Sequence, residues 1–228
     1  MKRYFILLVV MFSLCLSDCF AVGKVTPNNG DYVSDRIAIQ DVIQQWAFNR
    51  DQGLWEELAD TFHPDGTIDI SWYRGSFDGF VKASIEIAKG DALVKHRFGV
   101  PVVKIVGKKA ISESDFTILV RIKKGPLYMD VTSYARYIDK LEKREGNWRI
   151  TERKAIYEKD RIDSVHPSFI FWAITLFTDF DKYPAPYRYL SFLYDKAGLK
   201  LADRILVNGS DETKALYKSV NQWLADGQ

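Results

Sequence analysis

Residues 131–160, VTSYARYIDKLEKREGNWRITERKAIYEKD, decide how the rest of this chain is organised. They read as two long strands joined by a tight turn at Arg144-Glu145-Gly146-Asn147, where Gly146 is free to take a positive φ. Tyr, Ile, Thr and Trp enrich both arms, and such side chains fit a pleated, half-buried surface. Trp148, Ile150 and Ile156 share one parity; Arg149, Thr151 and Arg153 share the other. That alternation predicts one packed face and one wet face. A hairpin of this length must wrap over something, and the segments before it supply the partner.

Upstream, Ser34 reads as an N-cap with Asp35 in the first turn, where the helix dipole favours a negative charge. Ile39, Val42, Ile43 and Trp46 recur at helical spacing, which predicts a helix over 35–50. A shorter helix is expected over 54–63, a strand over 67–73 and a third helix over 78–89. Residues 93–106 and 111–123 alternate as strands, with turns at Gly107-Lys108-Lys109 and Lys124-Gly125-Pro126. Helices first and antiparallel strands afterwards make an α+β fold, a strongly bent antiparallel sheet over three N-terminal helices. After Arg161 the character changes. Residues 169–177, FIFWAITLF, are apolar but too short to span a bilayer, and 187–197 and 211–225 read as helices. They form a C-terminal extension over 166–228, whose apolar density suits packing on the main domain, a lid or a homodimer interface.

At 228 residues, 47% of them hydrophobic, the chain can bury a sizeable core and is not disordered. A net charge of +2 with no dominant basic run gives no case for a nucleic-acid partner. Lys2 and Arg3 precede an apolar run ending near Leu16, and Ala21 offers a small residue for cleavage. That is the pattern of a secretory signal over 1–21, followed by a linker over 22–33. Export to the periplasm or the extracellular space is therefore expected, with no stable membrane span after removal of the signal. An uncleaved anchor and lipidation of Cys19 are the other readings of the same segment. Cys15 and Cys19 both fall before the cleavage point, so the mature chain is expected to lack a disulfide.

Three stretches, DRIAIQDVIQQWAFNRDQGLWEELADTFHPDGTIDIS (35–71), KHRFGVPVV (95–103) and YARYIDKLEKREGNWRITERKAIYEKDRIDSV (134–165), resemble in this order the SnoaL-like proteins. These belong to the nuclear transport factor 2-like superfamily of cone-shaped α+β domains. The likeness covers 34–165. YPAPYRYLSFLYDKAG, 183–198, resembles an extension found in one branch. The resemblance implies a deep pocket at the open end of the cone. It also implies a small, largely apolar or aromatic ligand and chemistry without metal or organic cofactor, as in scytalone dehydratase, ketosteroid isomerase and limonene epoxide hydrolase. This fold hosts many functions, so the likeness speaks more for architecture than for chemistry.

Among candidate site residues, His96 shares strand parity with Val94, Phe98 and Val100, and so lies on an apolar face. There an imidazole suits general acid–base work, and it equally suits a hydrogen-bonded core histidine. KHRFG also resembles the dehydratase's histidine-bearing strand. Tyr134 and Arg136 share a parity on the hairpin; facing the pocket they would hold an oxyanion, facing out they would form a wet surface. Alignment with the relatives puts Trp46, Phe48 and Ile70 at their site positions; Trp72, on the apolar side of its strand with Ile70, and the aromatic Tyr157 are further candidates for the pocket lining. The relatives' catalytic carboxylates fall at Phe48 and Ile70, neither of which takes a proton. Asp51 reads as a helix-end residue, Asp69 as outward-facing, and His63 and His166 as loop residues before prolines. Three scattered histidines form no zinc pattern, and no glycine-rich phosphate loop or GxSxG elbow occurs. Two classes of function remain open: a cofactor-free lyase or isomerase, and a non-catalytic ligand-binding or dimerising module.

Overall fold

A computed structural model describes residues 30–227; residues 1–21, expected to be a secretory signal, and both cysteines lie outside the described residues. Helix α1 (Gly30–Gln52) starts earlier than Ser34 suggests. Helix α2 (Trp55–Asp60) is shorter than expected, because Thr61 closes it and Phe62 already enters strand β1 (Phe62–Asp69). Residues 70–73 form a tight turn, with Ile70 N–H donating to Tyr73 C=O at 2.9 Å, instead of extending the strand. Strand β2 (Arg74–Ser76) follows, and Ser76 caps α3 (Phe77–Ile87) by accepting from Gly79 N–H. The expected strand over 93–106 is two, β3 (Leu93–Phe98) and β4 (Val102–Val106), broken at Gly99-Val100-Pro101. Both pair with β5 (Lys109–Lys124).

The hairpin is longer than its decisive core: β6 (Leu127–Arg144) and β7 (Asn147–Ser164). Its turn has φ 52° at Glu145 and 84° at Gly146. Positive φ at both central residues gives the turn the twist of the strands it joins. The sheet runs β2-β1-β7-β6-β5-β3. It is antiparallel except where β1 and the short β8 (Leu206–Val207) lie parallel to β7. The fold is α+β, with a large curved sheet over helices.

Two β-bulges in β7 overturn the simple parity of the hairpin. Leu141 faces Ile150 but Lys140 faces Glu152, so Thr151 is an extra residue; Glu158 is a second, between Tyr157 and Lys159. Each extra residue flips everything after it to the other face. Trp148 and Ile150 therefore pack inward with α1 and α3, while Ile156 turns outward with Ile111 and Ile138. Arg153, expected on the wet face, is fully buried inside.

The C-terminal extension covers both faces. Helix α4 (Phe169–Phe177) buries no residue. Helix α5 (Arg188–Ala197) sends Leu190, Phe192 and Leu193 into the inner core. Helix α6 (Asp211–Ala225) lays Leu216, Val220 and Leu224 over the outer face, on Ile111, Ile138 and Ile156. Among the described residues no helix is long and apolar enough to cross a membrane.

Candidate functional site

The inner face brings the C-terminal end of α1 against β3. Asp51 Oδ1 lies 2.7 Å from His96 Nδ1, and its Oδ2 accepts the His96 backbone N–H at 2.8 Å. The Asp51 side chain is 6% exposed and that of His96 10%. An ionised carboxylate is an acceptor only, so this contact places a proton on Nδ1 and leaves Nε2 as the nitrogen available for chemistry. The edge of Trp46 packs on the imidazole, with centroids 5.6 Å apart.

His96 borders a cavity of about 20 Å³, lined also by Trp46, Arg50, Ile70, Ser71, Trp72, Phe80, Ile118, Tyr137 and Tyr157. That is room for about one water, not the deep pocket expected from the resemblance. Trp72 also borders an open surface depression of about 230 Å³ formed with Tyr73, Arg74 and residues 200–203. Arg74 in that depression is already paired with Asp69, and the acid–base pair belongs to the smaller cavity.

Two phenols harden the wall. Burial pushes the Tyr137 hydroxyl well above its ordinary pKa. Burial pushes Tyr157 up to about 12, against the opposing hydrogen bonds with Ser71. Both therefore stay protonated at neutral pH. Tyr157 donates to Ser71 Oγ at 2.8 Å and accepts from Ser71 N–H at 3.2 Å; Ser71 Oγ also meets the Tyr194 hydroxyl of α5 at 3.2 Å. Behind the wall, Arg153 forms a fully buried two-pronged pair with Asp139, at 2.7 and 2.9 Å. Its guanidinium lies 4.5 Å from the Trp46 ring centre and 4.4 Å from that of Tyr137. Burial pushes the Asp139 carboxyl up, and Arg153 pulls it back.

His96, Trp46, Ile70, Trp72 and Tyr157 meet at this cavity. Phe48 does not: it is 61% exposed, on the far side of α1. Arg136 and Tyr134 do not approach His96 either. Ser133, Ala135 and Tyr137 take the inner face of β6, so their neighbours point outward. Arg136 instead bonds Glu158, Glu113, Tyr217 and Asn208, and Tyr134 lies under Lys159. Asp69 faces out toward Arg74, and His63, expected in a loop, is a buried β1 residue bonded to Glu142 C=O. Asp51, Arg50 and Tyr137 were not expected at the site. A signal for Arg50 was present, since it falls one helical turn after Trp46 on α1. Among the described residues no group of three or more His, Cys, Asp or Glu side chains is placed to hold a metal ion.

Residues 31–154 match the SnoaL-like domain. Pea pathogenicity protein 2 of the fungus Fusarium vanettenii is 28% identical over 183 residues, covering 76% of each chain. A PEP2-like protein of the same fungus is 26% identical over 217 residues, covering 88% of this chain and 91% of that one. The crystal structure of a putative scytalone dehydratase from Novosphingobium aromaticivorans aligns with a TM-score of 0.49 at 20% identity, over 60% of this chain and 91% of that one.

Proposed function

This chain belongs to the SnoaL-like domain family, and from that premise we propose that it is a cofactor-free lyase or isomerase acting on a small apolar or aromatic molecule. The observation that carries this reading is the Asp51–His96 pair at the edge of an aromatic cavity. Asp51 holds the ring by Nδ1–H, and Nε2 takes a proton from an acidic C–H of the substrate. The electron pair of that bond moves onto a neighbouring carbonyl oxygen or expels a leaving group. The imidazolium that forms sits against the Asp51 carboxylate, which offsets its charge in a dry site. Tyr137, kept protonated by burial, is a neutral donor suited to the developing oxyanion. Entry requires movement of a wall, and Trp72, shared with the outer depression, is the residue placed to give it.

A second reading has its own support in the size of the cavity: about 20 Å³ lined by Trp46, Trp72 and Phe80 suits a binding module whose ligand displaces these rings. Turnover separates the two. Small carbon acids incubated in D2O should exchange or eliminate in the presence of the protein. His96→Gln should lower that rate roughly 10²-fold. Unchanged turnover in His96→Gln would sink the catalytic reading; altered ligand affinity with no chemistry lost would leave the binding one. Export is part of the same proposal, supported by the Lys2-to-Ala21 pattern. Mass spectrometry of the exported protein should find Val22 at its N-terminus, and an intact Met1 or a lipid on Cys19 would count against it.

A further inference from the structure

The sheltered arginines of this molecule are paired with acids. Arg153 has Asp139, and Arg136 has Glu113 and Glu158. Among the described residues Arg36, Arg97 and Arg204 make no ion pair but stand in solvent. Arg50 is different among the described residues. It is partly buried in the last turn of α1, borders the His96 cavity, and has no carboxylate oxygen within ion-pair distance. Its neighbour Asp51 has both oxygens on His96, with Lys95 Nζ a further 3.9 Å from Oδ2. The guanidinium is also held in place, with Cζ 5.5 Å from the Trp55 ring centre.

The Arg50 guanidinium nitrogens are not sealed from water, so an arriving anion meets a cation at the cavity edge that no carboxylate already holds. Burial lowers its pKa, while Asp51, Tyr137 and Tyr194 pull it back up, and arginine remains a cation throughout. We infer that Arg50 is the anchor for a carboxylate on the ligand, so that the site takes a small aromatic or aliphatic carboxylic acid with its reacting carbon toward His96. The planar fork of a guanidinium matches a carboxylate with two parallel N–H···O bonds. The remaining walls, Trp46, Ile70, Trp72 and Phe80, favour an apolar body on that acid. The inference rests on the acid–base reading for the role of His96, but the preference for an anion stands on Arg50 alone.

Titration of the intact protein with benzoate and with its neutral isostere benzamide, followed by calorimetry or by indole NMR shifts, tests it. Wild type should prefer benzoate by about tenfold or more, the worth of a sheltered charge-assisted pair. Arg50→Gln should lose that preference. Arg50→Lys keeps the charge and the stem but not the fork, and should lose most of it; it serves where the glutamine variant fails to fold. His96→Gln should keep the preference while lowering the C–H exchange of carbon acids roughly 10²-fold. Equal binding of benzoate and benzamide by wild type, or no benzoate binding at millimolar concentration, overturns the inference. So does displacement of benzoate by an equal concentration of inorganic phosphate, which would mark a phosphoryl site. A benzoate preference without any His96-dependent exchange would leave the carboxylate anchor standing and remove the enzyme.

Discussion

The two faces of the long hairpin each shelter an arginine, and they shelter it in opposite ways. Arg153 points inward, has no exposed surface, and relies on one acid, Asp139, directly across the β6–β7 register. Aromatic rings fill the rest of its surroundings, and its Nη1 has no hydrogen-bond partner among the described residues. Arg136 points outward, is 21% exposed, and shares its hydrogen bonds among Glu113 on β5, Glu158 on β7, Asn208 just after β8, and Tyr217 on α6. The inner pair braces the rings that wall the His96 cavity. The outer cluster fastens the C-terminal extension to the sheet. A charge with one partner in a dry box is an all-or-none element; a charge with several partners near water degrades gradually.

The largest effect expected from this difference is at Arg153. Arg153→Ala leaves the Asp139 carboxylate buried and unpaired, and should cost about 3–5 kcal/mol of stability in denaturant titration. Replacing both partners by apolar residues, Arg153→Met with Asp139→Leu, removes the orphaned charge and should recover most of that loss. A single variant no less stable than a typical surface substitution would show that the carboxylate finds water or another donor, and the contrast between the faces would fail.

How much of this was legible in the sequence follows from what each signal needs. The helix-then-strand order and the Glu145-Gly146 turn are local, and they placed the fold correctly. The inward Arg153 was not legible. A bulge is a mismatch in count between two strands, so the extra Thr151 is visible only once Lys140 and Leu141 are seen opposite it. Parity read along β7 alone therefore put Ile156 inside and Arg153 in water. Helical geometry carries a further signal. Successive residues turn roughly 100° around α1, so with Trp46 inside, Phe48 points away and Arg50 returns. Alignment with relatives placed Phe48 in the pocket against that geometry. The Asp51–His96 contact joins residues 45 apart in sequence and exists only because α1 packs on β3, so no local pattern announced it.

The smaller effect belongs to Arg136, and its character matters more than its size. Arg136→Ala removes the bonds to Asn208 and Tyr217 and leaves Glu113 and Glu158 without their shared cation. Both acids retain access to water, with side chains 16% and 31% exposed, so neither becomes a buried orphan. Tyr217 keeps its hydrogen bond to Glu113, and Leu216, Val220 and Leu224 still pack on Ile111, Ile138 and Ile156. The loss should therefore be about 1–2 kcal/mol, the scale of a few partly solvated charge-assisted bonds. It should also be local. Amide exchange in α6 should accelerate while the β5–β7 ladder, whose own bonds and inner core are untouched, keeps its protection. Turnover or ligand binding at the His96 cavity should be unchanged, because the sheet stands between the two clusters. If Arg136→Ala instead loosens the ladder and weakens binding together, the faces are one cooperative unit, and the outer arginine supports the cavity from behind after all.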